Sequence, residues 1–382
     1  MDQSQYTTLS DALQAIPDPR QARGKRYPWH FLLMLIALAV ASGEQTVHAI
    51  ANWVGLHAEE WRTPLDWYAK SFPSESTVRR TLRLMPPTQL ESILAGLPPI
   101  THSAPSPSGL TGQAVDGKTL RGASAHGQPI HLVSLVRHSD ACIVNQVAVQ
   151  EKRNEITAVP VLLTGRNLHA TVTTMDALLT QRSIAQQILD QQGHYLMMVK
   201  ANQPALYQAI AVLFQNPPWT KREQGCEYWK HRTMSKGHGR LEYRTLESST
   251  TLCGYVDWPQ VGQVMRRTCR RIQCKTGVIT REIKYAITSL TPRQATAADL
   301  EKFWRGHWTI ENQVHHVRDV TMHEDAGQVR AGHAPQVLAA LRNALLNLYR
   351  ANGWHNISDA VRYYGSKVSH AFHLLTSYPA RL

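Results

Sequence analysis

Apolar residues recur at helical spacing through the first part of the chain and at alternate positions further on, so the pattern predicts a helical segment followed by a mixed α/β body. Leu9 to Ile16 has helical spacing, and Pro17-Asp18-Pro19-Arg20 then breaks the chain before a basic loop, Arg23-Gly24-Lys25-Arg26. A helix is predicted over Trp29 to Ala41. The apolar run around it, HFLLMLIALAVAS, is too short to span a bilayer and lies behind a polar leader, so it reads as a buried helix and not as a signal peptide. Gln45 to Val54 puts Val47, Ile50, Ala51 and Val54 on one face, and Gly55 closes that helix. In SESTVRRTLRLM, Ser74 can cap a further helix whose Val78, Leu82 and Met85 face inward while Arg79, Arg80 and Arg83 face outward. Such a helix either enters a DNA groove or carries ordinary solvated arginines. Residues 1–97 therefore form a helical domain, with a Pro/Ser-rich linker over 98–110.

Beyond the linker the periodicity becomes that of strands. Val115 sits in the first, Ile130 to Val136 form the second, and Ala141 to Val149 the third, after the turn His138-Ser139-Asp140. A short helix runs from Lys152 to Leu163. A strand ending at Asp176 follows, then a helix over Gln181 to Gln191, and YLMMVK makes a fifth strand before the polar loop Lys200-Ala201-Asn202-Gln203-Pro204. Three strands, helix, strand, helix, strand is the order of a ribonuclease H-like α/β core, whose first strand carries an acid and whose fourth ends near a second. The stretch from Asp176 to Glu311 is more than twice that from Asp116 to Asp176 and exceeds the roughly 40–60 residues that one helix, one strand and their connections need. The predicted class is thus α/β (α+β): a ribonuclease H-like core over 111–205 and 291–350, a β-rich insertion over 206–290 and a helical tail over 351–382.

Charge narrows the partner. The 382 residues include 41 Lys and Arg against 28 Asp and Glu, a net charge of +13, and the basic residues are interspersed with Trp, Tyr and His. That balance suits a polyanion, and the aromatic interleaving favours nucleic acid over a membrane surface. The five cysteines form no CxxC pair and no zinc-finger spacing with His, as befits a reducing cytoplasm.

Candidate chemistry gathers at two places. In AVDGKTLRGA, an apolar pair delivers Asp116 beside Gly117, with Lys118 and Arg121 placed for phosphates; the same letters also read as an Asp-Gly hairpin turn. Residues 295–319 predict one long helix in which Trp304, His307, Trp308, His315 and Arg318 share a stripe with Glu311. Two plainer readings of the stripe are a Trp-rich packing face with Glu311 paired to Arg318, and a zinc site from His307, Glu311 and His315. Lys236-Gly237-His238-Gly239-Arg240 is either a basic loop for a phosphate backbone or a plain hairpin tip.

AVDGKTLRG, VTTMDA, VKANQPAL, KGHGRLEYR and RGHWTIENQVHHVRDVTMHEDAGQVR, in that order, resemble the H-repeat-associated group of bacterial insertion-sequence transposases, within the wider DDE transposases. The leader IPDPRQARGKRYPWHFLLMLIALA is similar to that group's N-terminal associated domain, and the tail APQVLAALRNALLNLYRANGWHNISDAVRYY extends the resemblance over nearly the whole chain. The resemblance implies that Asp116, Asp176 and Glu311, the last in an IEN context, are the catalytic and metal-binding triad. It also implies two Mg²⁺ ions, with Mn²⁺ as a substitute, and double-stranded DNA as partner, both element ends and target, at the nucleoid in a bacterial cytoplasm. DNA contacts are expected from Lys118, Arg121, Lys200, Asn202, Gln203, Lys236, His238 and Arg240, from Trp304, His307, Trp308, Asn312, His315 and Arg318, and from Arg79, Arg80 and Arg83. His316 stands where a larger aromatic is expected, and His307 where related groups use Arg.

The chemistry of phosphodiester transfer agrees, since carboxylates are the ligands hard ions prefer. Water would attack at the element's end, and the 3′ hydroxyl so released would attack target DNA. Joining two ends to one target calls for two active sites and hence a homodimer on DNA. Leu338, Leu341, Leu345 and Leu348, after Pro335, form an apolar stripe that packs either on the core or on a partner. A nuclease that only cuts, and a transposase-derived protein that only binds DNA, are the competing classes.

Overall fold

The computed structural model describes residues 6–22, 25–68, 71–95, 97, 109–125, 128–149, 155–221, 227–327, 329–330 and 332–377. The chain forms two compact units, one of Met1–Ser103, Gly117–Ala158 and Ile310–Leu382, the other of Ala104–Asp116 and Val159–Thr309. Helices α1 (Leu9–Gln14), α2 (Trp29–Ala41), α3 (Val47–Leu56), α4 (Ala58–Arg62), α5 (Glu75–Leu84) and α6 (Pro87–Ala95) come first. Strands β1 (Thr111–Ala125), β2 (Gln128–Arg137) and β3 (Ile143–Val149) follow, then α7 (Glu155–Leu163), β4 (Thr171–Met175), α8 (Arg182–Asp190), β5 (His194–Val199) and α9 (Pro204–Gln215). The remainder is β6 (Tyr228–Gly237), β7 (Arg240–Ser249), β8 (Gln263–Gln273), β9 (Ile279–Thr288), α10 (Ala297–Gly306), α11 (Ala334–Ala351), α12 (Ile357–Ser366) and α13 (Val368–Thr376).

In the first unit every residue of α2 except His30 is buried, as a helix apolar on all sides must be. Its cover includes α11, which packs on α2, α5, α6 and β3. Leu338, Leu341, Leu345 and Leu348 are all buried there, so the C-terminal stripe packs within its own chain. Thr8 and Asp11 close a reciprocal capping box on α1, and the Thr46 side chain caps α3. Ser74 precedes α5 but does not cap it; its hydroxyl meets those of Ser76 at 2.9 Å and Thr77 at 3.3 Å. Val78, Leu82 and Met85 are buried and the three α5 arginines exposed, as their spacing predicts. Among the described residues no helix is long and apolar enough to cross a membrane.

Strand β1 runs through both units. In the second unit its first part pairs in parallel with β4, and β4 in parallel with β5; β9 then joins β5 antiparallel, and β8, β7 and β6 continue the sheet as an antiparallel meander. In the first unit its second part neighbours β2, which pairs antiparallel with β3. With α7 leading into β4 and α8 into β5, this is the ribonuclease H-like arrangement that the strand order predicts. Helix α10 lies on the sheet of the second unit, its Leu300, Phe303 and Trp304 packed with Val172, Leu196 and Met265.

Candidate functional site

Parallel pairing sets Val115 of β1 opposite Met175 of β4. The next residue of each strand, Asp116 and Asp176, therefore lies at the same level on neighbouring strands. Strand β1 continues unbroken to Ala125, so Asp116-Gly117 is not a hairpin turn. Gly117 instead leaves room for a neighbouring carboxylate. A Cβ there would sit 2.4 Å from Oε1 of Glu155, a buried residue at the start of α7. The Asp176 carboxylate is fixed by its own turn, Oδ1 accepting the N–H groups of Leu178 at 3.0 Å and Leu179 at 3.2 Å. Behind the pair, Thr174 donates to the Gln113 carbonyl at 3.0 Å and its Oγ1 lies 3.1 Å from His307 Nδ1. Asn202 and Gln203 give their amide N–H groups to the carbonyls of Ala177 at 2.7 Å and Thr180 at 3.0 Å. Those amides stitch the β5 loop to the Asp176 turn and are occupied by backbone, contrary to the expected phosphate contacts; Lys200 is exposed beside them.

The long helix expected over 295–319 is interrupted. Helix α10 ends at Gly306, and two π-helical segments follow, Ile310–His315 and Val317–Thr321. Bonds of the i→i+5 type widen the turn, so residues seven apart no longer face the same way. Glu311 has 61% of its side chain exposed, whereas Arg318 is fully buried. His315 Nδ1 lies 3.3 Å from Glu311 Oε2. That hydrogen bond holds the Glu311 carboxyl below the usual carboxylate range against a smaller opposing effect of burial. Burial lowers the His315 pKa, with Glu311 opposing, so this imidazole is neutral at pH 7 and donates Nδ1–H to an ionised carboxylate.

Arg318 does not reach for a phosphate. Its Nη2 and Nε lie 2.7 and 2.9 Å from Glu324 Oε2, and Arg342 reaches the other oxygen at 3.3 Å. Burial pushes the Glu324 carboxyl up, and the two guanidinium groups more than reverse this, holding it lowered. The network runs on through Asn343 to Gln146, whose amide donates to Glu91 at 2.8 Å. Lys118 is likewise buried, its Nζ 2.5 Å from Asp319 and 3.8 Å from Asp325. Both cations were expected at DNA; instead, carboxylates in the same unit compensate them, because a buried charge without a counter-ion is too costly to keep. Periodicity misses these partners. One trace is legible: Arg342 and Asn343 interrupt the apolar run of α11, where a polar pair needs something to bind.

The rest of the expected stripe also separates. Trp304 is wholly buried in the core of the second unit, and Trp308 is half-buried with Arg267 and Lys284 over its ring at 4.9 and 5.5 Å. Helix α10 turns Trp304 onto the sheet, away from any base, whereas Trp308 lies beyond the end of that helix and keeps part of its surface exposed. His307 is buried and, among the described residues, belongs to no group of three metal-capable side chains, which removes the zinc reading. His315 too is buried, and Asn312 is exposed. His238 and Gly239, with φ of 50° and 71°, form a tight two-residue turn between β6 and β7, so the basic segment is a hairpin tip; Lys236 is exposed there and Arg240 is held by Glu242 at 2.6 Å. On α5, Arg79 pairs with Glu75 while Arg80 and Arg83 are exposed. The Arg121 side chain, and the linker apart from Gly109 and Leu110, lie outside the described residues.

Residues 107–348 match the family described as Transposase DDE domain, and residues 10–96 match the one described as DDE_Tnp_1-associated. YncI of Escherichia coli O157:H7 is 28% identical over 351 residues, covering 90% of this chain and 87% of that protein. The H repeat-associated YhhI of Escherichia coli K12 is 26% identical over 349 residues, covering 89% of each. The names of both include the word transposase. The cryo-EM structure of the piggyBac transposase synaptic complex with hairpin DNA aligns with a TM-score of 0.42 at 9% identity, over 97% of this chain and 77% of that one.

Proposed function

This chain belongs to the DDE transposase family, and on that premise we propose that it is the transposase of an insertion sequence, binding the element's terminal inverted repeats, cutting at their ends and joining the 3′ hydroxyls to target DNA. Asp116, Asp176 and Glu311 form the catalytic centre in this reading. The observation that carries it is the β1–β4 register, in which Asp116 inside β1 is level with Asp176 just past the end of β4. Their donor set is all carboxylate oxygen, the set that Mg²⁺ and Mn²⁺ prefer, so two divalent ions fit these residues. When bound, such a pair neutralises charge on the attacking and leaving oxygens. The residues do the rest: the Asp176 turn fixes one carboxylate, and neutral His315 orients Glu311 and keeps it ionised. Residues 1–97 read the element end, with Arg79, Arg80 and Arg83 of α5 toward DNA, and Lys200, Asn312, Lys236 and His238 add backbone contacts. Two ends brought to one target make the working form a homodimer on DNA.

A strand-transfer assay with labelled end DNA, unlabelled target and Mg²⁺ tests the reading. Joined product is expected. Cut ends without joining would make the protein a nuclease, and bound but intact DNA would make it a binder. Asp116→Asn, Asp176→Asn and Glu311→Gln should each abolish cutting while end binding stays within a few-fold of the parent. EDTA should stop cutting, and Mg²⁺ or Mn²⁺ should restore it. Normal cutting by Asp176→Asn removes that residue from the centre.

A further inference from the structure

The outer part of the sheet formed by β6 to β9, toward the β6–β7 turn, differs in chemistry between its two faces. On one face the basic residues meet acids: Glu242 binds Arg240, Arg244 and Arg271, and Glu282 binds Arg271 and Lys284. The other face differs. Met234, Tyr243, Arg270 and Arg281 stand opposite one another across the four strands in a single row. The flanking rows on that face add Arg232 and Lys236 on β6 and Ile279 and Ile283 on β9. These side chains are exposed, Met234 by 66% and Ile279 by 53%. Among the described residues the three rows contain no acid, and none of Arg232, Lys236, Arg270 and Arg281 has a carboxylate partner. Arg270 and Arg281 are direct cross-strand partners, an arrangement that costs stability because like charges face each other. Further in on that same face the basic residues do meet an acid, Glu247, which binds Lys230 and Arg266. An outer segment that leaves arginine against arginine where the rest of the sheet matches acid to base keeps that pattern for a ligand.

We infer that this face is a second DNA-binding surface, its arginines on the phosphates of a duplex and its apolar side chains against the sugars. The inference rests on the reading above that the chain acts on DNA. A second copy of the same face does not suit it, since two acid-free cationic surfaces repel. The test is the salt dependence of duplex binding by the full chain, wild type against Arg270→Gln/Arg281→Gln, with an end-bearing duplex and with one of random sequence. The slope of log K against log salt should fall by about two in the double variant, close to one unit for each phosphate no longer neutralised. Arg270→Lys/Arg281→Lys should keep the slope, and the Gln variant should melt no lower than the parent. A change confined to the end-bearing duplex assigns the face to DNA at the element; a change common to both assigns it to DNA of any sequence. If the wild type binds duplex and the Gln variant binds with the same slope, the inference is wrong. It is equally wrong if the Gln variant changes only the oligomeric state, or only binding to anionic lipid vesicles. Wild-type protein that ignores duplex altogether overturns the reading of function, and this inference with it.

Discussion

A methyl group at Gly117, the residue that follows Asp116, would have to displace the buried Glu155 carboxylate, whose Oε1 lies 2.4 Å from where it would sit. Gly117→Ala should cost about 1–3 kcal/mol of stability by thermal melting and lower cutting further than binding. Glu91 gives a pH effect of definite sign. Burial raises its carboxyl to about 7, against the lowering effect of hydrogen bonds from Gln146 and Gln336. Because the folded value lies above the unfolded one, the folded state holds the extra proton. The contribution is therefore present below the unfolded pKa and is lost as pH rises from there to about 7, by roughly 3 kcal/mol. Glu91→Gln should flatten the melting temperature between about pH 5 and 8 and raise it at the alkaline end; an unchanged profile would show that Glu91 is ionised throughout. At this scale the placement of Asp116 and Asp176 on neighbouring strands was legible and the partners of the cations were not. Asp116 follows Ala114 and Val115 inside β1 and Asp176 comes directly after β4, whereas the fate of Lys118 and Arg318 depends on Asp319 and Glu324, whose nearness only the folded chain reveals.

The π-helical segments explain how Glu311 can face solvent while Arg318, seven residues on, is sealed in the interior. An α-helix would put both on one side. Arg318→Met should therefore cost about 3–5 kcal/mol in urea unfolding by leaving Glu324 under-compensated, and should weaken cutting by releasing the turns that present Glu311. Trp308→Ala, by contrast, should cost roughly 1 kcal/mol, because Arg267 and Lys284 no longer lie over an indole, and leave end binding unaltered. A large drop in end binding would assign the indole to base stacking. Strand periodicity was a good guide to the order of the core strands, and it marked the insertion as β-rich without showing that β9 joins β5 in the same sheet. The same reasoning failed over residues 295–319. A periodicity of 3.6 is blind to a wider turn, and here that turn is fixed by the partners of Lys118 and Arg318.

For the molecule as a whole, net charge of +13 opposes self-association until phosphates neutralise it. Light scattering should then find a monomer at moderate salt and a complex of two proteins and two ends when end DNA is added; one protein per end with strand transfer intact would dispose of the dimer. The buried C-terminal leucines show why the stripe on α11 could not decide this from its spacing: an apolar face looks the same whether α2 or a second copy covers it. The closure of α11 over α2 also reaches back into synthesis. Tyr349 donates to the Ala41 carbonyl at 2.7 Å, joining the last long helix to the first one completed. While the ribosome is still translating the middle of the chain, α2 has emerged without that cover, and contacts so distant in sequence form slowly. The helical unit therefore matures only once α11 has been made, and α2 is open to aggregation until then. Expressed alone, residues 1–103 should accumulate as insoluble material, and co-expression of residues 310–382 should recover part of it. The folding of α2 is thereby tied to the synthesis of α11, which follows the whole strand-bearing part of the chain.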